Sequence, residues 1–156
     1  MIGINIPGFT ELRLSHLVLD YNGTIAGHGR LIRGVPEKLA ILAPRLAIHI
    51  LTADTFGTVR EQVASLPADL IVIPPGDQAH AKCEYVRRLG AEQTVAVGNG
   101  RNDRLMLKEA ALGIAVLQAE GAAVEALLAA DVVAPDILPA LDLLLAPDGL
   151  IATLRS

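Results

Sequence analysis

The sequence predicts an α/β fold: a doubly wound, mostly parallel sheet with helices on both faces. Two observations predict it. Short apolar runs of strand length alternate with longer helical segments, which is typical of parallel strands joined by right-handed helical crossovers. Polar residues also follow several of these runs where they end, and open parallel sheets bind their ligands at those strand ends. With 156 residues, the chain is expected to form one domain over residues 1–156.

The first 15 residues predict a β-hairpin. Apolar and polar residues alternate over residues 2–6 and again over residues 11–14, and a proline-glycine turn separates the two segments. We expect this hairpin to be an appendage of the main domain. The next segment, residues 17–19, is continuously apolar and ends at Asp20, as expected of a strand that is buried on both faces.

The rest of the chain alternates helix and strand. The further predicted strands cover residues 46–51, 70–73, 94–97, 113–116 and 131–133. The predicted helices cover residues 36–43, 56–65, 78–89, 102–109 and 121–129, with a last helical region from residue 137. The connections between these elements are short, so no second domain is expected between them.

Composition and charge narrow the classes of function. Hydrophobic residues make up 52% of the chain and charged residues only 19%, which predicts a compact protein and not a disordered one. A net charge of −4 without a cluster of basic residues disfavours nucleic-acid and membrane partners. A single cysteine, no leader-like start and no apolar run of membrane-spanning length together favour a cytoplasmic protein.

The first candidate site residue is Asp20, which leaves the end of a buried strand. It is followed by Tyr21-Asn22-Gly23-Thr24, and the glycine allows another group to approach the backbone closely. A carboxylate in this place can act as a nucleophile that forms an aspartyl phosphate. Taken alone, an aspartate in this pattern more often caps a turn.

Thr52 and Lys82 are the second and third candidates. Thr52 ends a predicted strand and is followed by Ala53. Its hydroxyl could donate to a phosphoryl oxygen, or it could cap the next helix. Lys82 lies early in a predicted helix, where it could neutralise a carboxylate and a phosphoryl group or remain a solvated surface residue.

The fourth candidate is the polar cluster at residues 98–103. Asn99 and Asp103 offer oxygen atoms, which are the ligands that Mg²⁺ prefers. The same residues also suit an ordinary turn before a helix, with Asp103 complementing the helix dipole.

In this order, the four segments resemble the four motifs of the haloacid dehalogenase superfamily of phosphatases and phosphotransferases. The likeness covers nearly the whole chain. More narrowly, the chain is similar to small soluble relatives of the phosphorylation domain of P-type ATPases. It implies a three-layer, Rossmann-like domain. The short spacing between the motifs implies that the domain carries no cap.

The resemblance also implies a role for each site residue. Asp20 attacks phosphorus, while Thr52 and Lys82 hold the phosphoryl group. Mg²⁺ is bound by Asp20, the main-chain carbonyl of Asn22 and the side chain of Asn99, and Asp103 supports the metal. The remaining implied residues shape the phosphate-binding loops or orient Asp103 or a phosphoryl oxygen; they are Gly23, Thr24, Ala53 and Asn102.

Two residues depart from the family pattern, one in a way that affects proton transfer and the other in a way that affects metal binding. Asn22 stands where many members have an aspartate that protonates the leaving group and later activates water. Because positioned proton transfer contributes about 10²- to 10⁴-fold in rate, we expect slow hydrolysis and a persistent phosphorylated Asp20. Asn99 stands where the family usually has a metal-binding aspartate, so weaker metal binding is expected.

A domain without a cap leaves its site open. This suits a small phosphorylated molecule or a phosphoprotein as substrate, and it would allow a second copy of the chain to cover the site. The N-terminal hairpin could pair with its counterpart across such an interface.

Two alternative functions remain. The first is a catalytically weak or inactive protein that binds phosphate and acts in regulation or assembly; Asn22 and Asn99 favour it. The second is a receiver-like phospho-acceptor, which is disfavoured because such domains carry an acid pair at the first strand and the phosphorylated aspartate two strands later.

Overall fold

The computed structural model describes residues 1–54 and 57–156. The strands are β1 (Ile2–Ile6), β2 (Thr10–Leu14), β3 (His16–Asp20), β4 (Ala26–Gly27), β5 (Arg30–Leu31), β6 (Ala47–Thr52), β7 (Asp69–Val72), β8 (Thr94–Gly98), β9 (Leu112–Val116) and β10 (Val132–Ala134). The helices are α1 (Val35–Leu42), α2 (Thr58–Val63), α3 (Gln78–Leu89), α4 (Arg104–Glu109), α5 (Val124–Ala129), α6 (Ile137–Leu145) and α7 (Asp148–Leu154). A 3₁₀ turn, Arg101–Asp103, leads into α4.

Six strands form one parallel sheet in the order β10-β9-β8-β3-β6-β7. The first strand of this sheet along the chain is β3, which lies in the middle. The chain then winds outward through β6 to β7 and returns to β8 on the other side of β3. The winding direction therefore reverses between β3 and β8. A crevice opens at the carboxyl ends of the strands at such a switch point, and Asp20 and Asn99 stand at the ends of these two strands.

The sheet is buried on both faces, which confirms the predicted α/β class. In β3, Leu17 and Leu19 point into one apolar cluster and Val18 points into another, because successive side chains of a strand alternate between faces. Helices α1, α2, α6 and α7 pack on the first face, and α3, α4 and α5 pack on the second.

The N-terminal hairpin forms the predicted antiparallel pair of β1 and β2. Its inward-facing side chains are at most 3% exposed and belong to the same apolar cluster as α1 and α6; they are Ile2, Ile4, Ile6, Leu12 and Leu14. The hairpin is thus packed against the main core.

Three local features differ from the sequence prediction. The small antiparallel hairpin of β4 and β5 was not predicted, because two-residue strands are too short to show alternation. Helix α5 begins at Val124, three residues later than predicted, and Gly121 has a φ of 74° that no right-handed helix accommodates. The predicted helix over 56–65 is observed as α2, and its predicted first residue lies outside the described residues.

Within residues 1–54 and 57–156, the segments between the site-bearing elements hold no cap domain. Among the described elements, the β4–β5 hairpin and α1 lie between β3 and β6, and α2, β7, α3 and the 3₁₀ turn Ala91–Gln93 lie between β6 and β8. No single helix of this part of the chain has the length and apolar composition of a membrane span, although α6 and α7, bent by 100° at the break between them, meet that test as a pair.

Candidate active site

Lys82 joins the two carboxylates of the site. From α3, its Nζ donates to Asp20 Oδ1 at 2.6 Å and to Asp103 Oδ1 at 2.7 Å. The three residues are at most 6% exposed. A buried ion pair is retained only where its charges are well compensated, so the structure places Lys82 as the counter-ion of both acids. Three of the predicted residues therefore meet at one point.

The loop after β8 holds Asp103 with its main chain. Asp103 Oδ2 accepts the N–H groups of Asn99 at 3.0 Å and Gly100 at 2.9 Å. A Cβ atom on Gly98 would lie 2.5 Å from Asp103 Cγ, so only glycine fits there. The glycines of this cluster thus allow the carboxylate to turn back against its own loop.

The nucleophile loop, residues 21–26, curls over Asp20. The Tyr21 carbonyl accepts the N–H groups of residues 24, 25 and 26, and Gly23 takes a φ of 76° at the turn. Thr24 is thereby placed so that its hydroxyl donates to Asp20 Oδ2 at 3.0 Å. Both carboxylate oxygens of Asp20 are engaged, one by Thr24 and one by Lys82, which sets the orientation of the group.

Asn99 presents its carboxamide oxygen to the site. Its Nδ2 donates to the Gly121 carbonyl at 3.1 Å, and its Oδ1 lies 3.4 Å from Thr24 Oγ1. The bond to Gly121 fixes which end of the amide faces inward, because only the NH₂ end can donate. A neutral carboxamide oxygen thus faces the same hydroxyl that bonds to Asp20.

Two carboxylates and one ammonium leave the buried cluster with surplus negative charge. Burial raises the pKa of Asp20, the neighbouring Asp103 raises it further, and Lys82 and Thr24 lower it only in part, so that the pKa rises to about 7. Burial lowers the pKa of Lys82, but the two carboxylates outweigh burial and the pKa is raised overall. Lys82 therefore remains an ammonium, and the site favours a further cation.

The donor set fits a hard cation such as Mg²⁺. The Asp20 carboxylate and the Asn99 carboxamide supply oxygen atoms, and Mg²⁺ commonly binds one or two carboxylates while it keeps several waters. Among the described residues, no group of three or more His, Cys, Asp or Glu side chains could hold a metal ion. The arrangement thus fits a partly hydrated Mg²⁺ better than the closed ligand set of a structural zinc site.

Thr52 is buried at the end of β6, the strand beside β3. Its Oγ1 accepts the N–H of Asp54 at 3.1 Å, which caps the turn and leaves the hydroxyl proton available to donate. Ala53, which follows it, is exposed. The predicted alternatives for Thr52, a cap and a phosphoryl donor, are therefore compatible with each other.

Asn102 and Asn22 lie at the rim. Asn102 Nδ2 donates to Gln78 Oε1 at 2.8 Å, so its amide ties the 3₁₀ turn to α3, whereas main-chain N–H groups orient Asp103. Asn22 is exposed, and its backbone forms a bridge with Ala26.

Sequence reasoning missed two polar residues that follow β9. Gln118 donates from Nε2 to the carbonyls of Gly23 and Thr24. A carboxylate oxygen of Glu120 would lie 2.6 Å from a Cβ atom on Gly23, which places Glu120 against the nucleophile loop. The strand-end rule that selected Asp20 could have found both residues, because they come shortly after a fully buried strand.

Comparisons with known proteins show which proteins the chain is similar to. The model of the haloacid dehalogenase-like hydrolase family matches residues 80–136, which include Lys82 and the cluster from Gly98 to Asp103. An uncharacterised protein of Methanocaldococcus jannaschii is 44% identical over 84 residues, which cover 51% of this chain and 90% of that protein.

Two solved structures share the fold. The cobalt-bound deoxy-D-mannose-octulosonate 8-phosphate phosphatase of Haemophilus influenzae is 15% identical, with a TM-score of 0.67 and coverage of 92% of this chain and 94% of that chain. The 3-deoxy-D-manno-octulosonate 8-phosphate phosphatase of Moraxella catarrhalis, in complex with magnesium, phosphate and KDO, is 16% identical, with a TM-score of 0.67 and coverage of 91% and 94%.

Residues 80–136 match the haloacid dehalogenase-like hydrolase family, the fold of the chain agrees with that family, and the described residues hold no cap domain. The predicted fold and the predicted superfamily are both confirmed. The narrower likeness to soluble relatives of P-type ATPases stays a prediction.

Proposed function

We propose that the chain is a Mg²⁺-dependent phosphatase or phosphotransferase that acts through an aspartyl phosphate on Asp20. One observation carries the proposal: the buried ammonium of Lys82 bonds to both Asp20 and Asp103 at the switch point of the sheet. A purely structural role gives no reason to bury two acids and a lysine at the edge where ligands bind.

In the first step, an oxygen of the Asp20 carboxylate attacks phosphorus and the bond to the leaving oxygen breaks. The leaving oxygen takes its proton from water, because the Asn22 amide cannot act as an acid. Water then attacks the phosphorus of the aspartyl phosphate, the bond to the Asp20 oxygen breaks, and inorganic phosphate leaves with Asp20 restored.

Two side chains would stabilise the phosphoryl group, and a third would orient the nucleophile. Lys82 is charged and preorganised, and the Thr52 hydroxyl still has its proton to donate. Thr24 holds the second oxygen of Asp20, which directs the first toward the substrate. Preorganised donors of this kind are commonly the largest contribution to catalysis.

Asp20, the main-chain carbonyl of Asn22 and the Asn99 carboxamide would hold Mg²⁺, with Asp103 in support. When bound, the metal supplies charge neutralisation to the phosphoryl oxygens. Because Asn99 is neutral, we expect weaker Mg²⁺ binding than an aspartate at that position would give.

The substrate class is a phosphate monoester with access to an open site, either a small phosphorylated molecule or a phosphoprotein. The fold is shared with phosphatases of a sugar-acid phosphate, one of them holding magnesium and phosphate. That likeness supports phosphomonoester chemistry and leaves the physiological substrate open.

The test is Mg²⁺-dependent hydrolysis of 4-nitrophenyl phosphate by wild type and by Asp20→Asn. The substitution keeps the size of the side chain but removes the nucleophile, so we expect activity to fall to background. Asp148→Asn, at an exposed position in α7, is the matched control and should retain full activity. Hydrolysis that survives Asp20→Asn would rule out Asp20 as the nucleophile, and the absence of hydrolysis in wild type would favour phosphate binding without catalysis.

A further inference from the structure

Gln118 occupies an unusual backbone position beside the nucleophile loop. Its φ of 41° makes it one of two non-glycine residues in the left-handed region among the described residues. Such a conformation is uncommon for a residue other than glycine, asparagine or aspartate and needs support from its surroundings. Here Leu117 N donates to Ala134 O and Gln118 N donates to Pro135 O, both at 3.1 Å. The backbone of Gln118 is therefore anchored to the end of β10.

The orientation of the Gln118 side chain follows from its partners. Its Oε1 accepts the N–H of Ile137, the first residue of α6, at 3.3 Å. The N-cap side chain Asp136 accepts from Leu138 N, so Gln118 serves a helix amide that the cap leaves free. Since Oε1 faces α6, the NH₂ group must face the other way.

The NH₂ group faces the nucleophile loop. Nε2 donates to Gly23 O at 3.1 Å and also to Thr24 O, and its two hydrogens suffice for two carbonyls. Gly23 is the residue directly after Asn22, and Thr24 is the residue whose hydroxyl donates to Asp20. Gln118 thus connects the nucleophile loop to α6 through its side chain and to the end of β10 through its backbone.

We infer that Gln118 is a positioning residue, whose carboxamide holds the nucleophile loop in the conformation that aims the Asn22 carbonyl at Mg²⁺ and the Thr24 hydroxyl at Asp20. The metal part of this inference rests on the proposed function, whereas the loop part does not. Gln118 touches neither the nucleophile nor the reacting atoms, so its effect on the site is exerted through the loop.

The test uses Gln118→Glu and Gln118→Ala. The glutamate variant keeps the size of the side chain and its acceptor for Ile137 N–H, but it loses both donors to the loop. The alanine variant loses all three bonds. Gln93→Ala is the matched control, because Gln93 lies before β8, at the opposite end of that strand from Asn99. The readouts are the thermal midpoint, hydrogen exchange of the amides of residues 20–26 in metal-free protein, and the Kd of Mg²⁺ by titration calorimetry.

Both Gln118 variants should fold, exchange the loop amides at least tenfold faster than wild type, and bind Mg²⁺ at least tenfold more weakly, which is the usual effect of losing a residue that supports metal ligands. Gln93→Ala should match wild type in every readout. Unchanged loop exchange in the folded variants would overturn the inference, as would the failure of both variants to fold, which would make Gln118 a general stability residue.

The Mg²⁺ titration separates this inference from the proposed function. If wild type binds no Mg²⁺ but the loop exchanges faster in the variants, the inference about the loop stands and the metal-dependent function fails. If wild type binds Mg²⁺ and both folded variants bind it within twofold of wild type, Gln118 does not position the metal ligand and the inference is wrong.

Discussion

At the scale of single residues, the site is defined by charge. Lys82 compensates two buried carboxylates, while Asn22 and Asn99 are neutral. The consequence differs for the two asparagines. Asn99 is buried and has a fixed amide orientation, so we expect it to act on metal binding. Asn22 is exposed and lies two residues after Asp20, so we expect it to act on proton transfer to the leaving group.

We therefore expect Asn22→Asp to raise turnover of 4-nitrophenyl phosphate by between about 10²-fold and 10⁴-fold, because it restores a proton donor and acceptor. The substitution is nearly isosteric at an exposed position, so the thermal midpoint should change little. Steady-state rates at saturating Mg²⁺ measure the effect. Intact mass must be checked first, because the Asn22-Gly23 bond is prone to deamidation and could convert wild type into the variant. Equal rates for the two proteins would mean that residue 22 does not limit hydrolysis.

At the scale of elements, strand β9 packs very closely against α4, the helix that follows Asp103. A Cβ atom on Gly113 would lie 2.2 Å from the carbonyl oxygen of Leu107. That oxygen is main chain and cannot rotate away. We expect Gly113→Ala to lower the free energy of unfolding by about 1–3 kcal/mol, as overpacking does elsewhere, measured by urea denaturation.

Gly3→Ala is the matched control for this change, because a Cβ atom on Gly3 in β1 meets nothing within 4 Å. It should leave the free energy of unfolding within about 0.5 kcal/mol of wild type, as is usual for surface substitutions. Equal effects of the two substitutions would show that the approach of β9 to α4 does not limit stability.

A second element-scale feature is a row of three hydrogen-bonded side chains, His16, His49 and Tyr85. His16 Nδ1 lies 3.1 Å from His49 Nε2, and His49 Nδ1 lies 2.9 Å from Tyr85 Oη. This row of side chains links β3, β6 and α3. Burial and the neighbouring His16 lower the pKa of His49 below its usual 6.5, and Asp69 opposes them only in part.

The sign of the pH effect follows. As the pH falls below about 6.5, the unfolded chain takes up a proton at His49 while the folded chain resists, so the free energy of unfolding decreases. We expect His49→Gln to lose less stability than wild type between pH 7 and pH 5, as measured by denaturation at each pH. His28→Gln, at an exposed position, should follow wild type. Parallel curves for wild type and His49→Gln would contradict this assignment.

At the scale of the whole molecule, the sequence predicted the parts that depend on periodicity and strand ends. Burial on both faces makes the strands of the parallel sheet continuous apolar runs, and Asp20, Thr52 and Asn99 stand out because they interrupt that pattern. The β4–β5 hairpin was missed because its strands are two residues long. The strand-end rule could have singled out Gln118, but its two carbonyl partners lie more than 90 residues earlier in the chain, so its contacts could not be predicted from a local pattern.

The central claim concerns the whole catalytic assembly, and trapping of the phosphoenzyme tests it most directly. Wild type, Asp20→Asn and Asn22→Asp are mixed with Mg²⁺ and 4-nitrophenyl phosphate, quenched in acid, and analysed by intact mass and peptide mapping. The account predicts one phosphoryl group on the peptide that contains Asp20 in wild type, none in Asp20→Asn, and a smaller fraction in Asn22→Asp, whose release step is faster. A phosphoryl group on any other residue, or one that persists in Asp20→Asn, would contradict it.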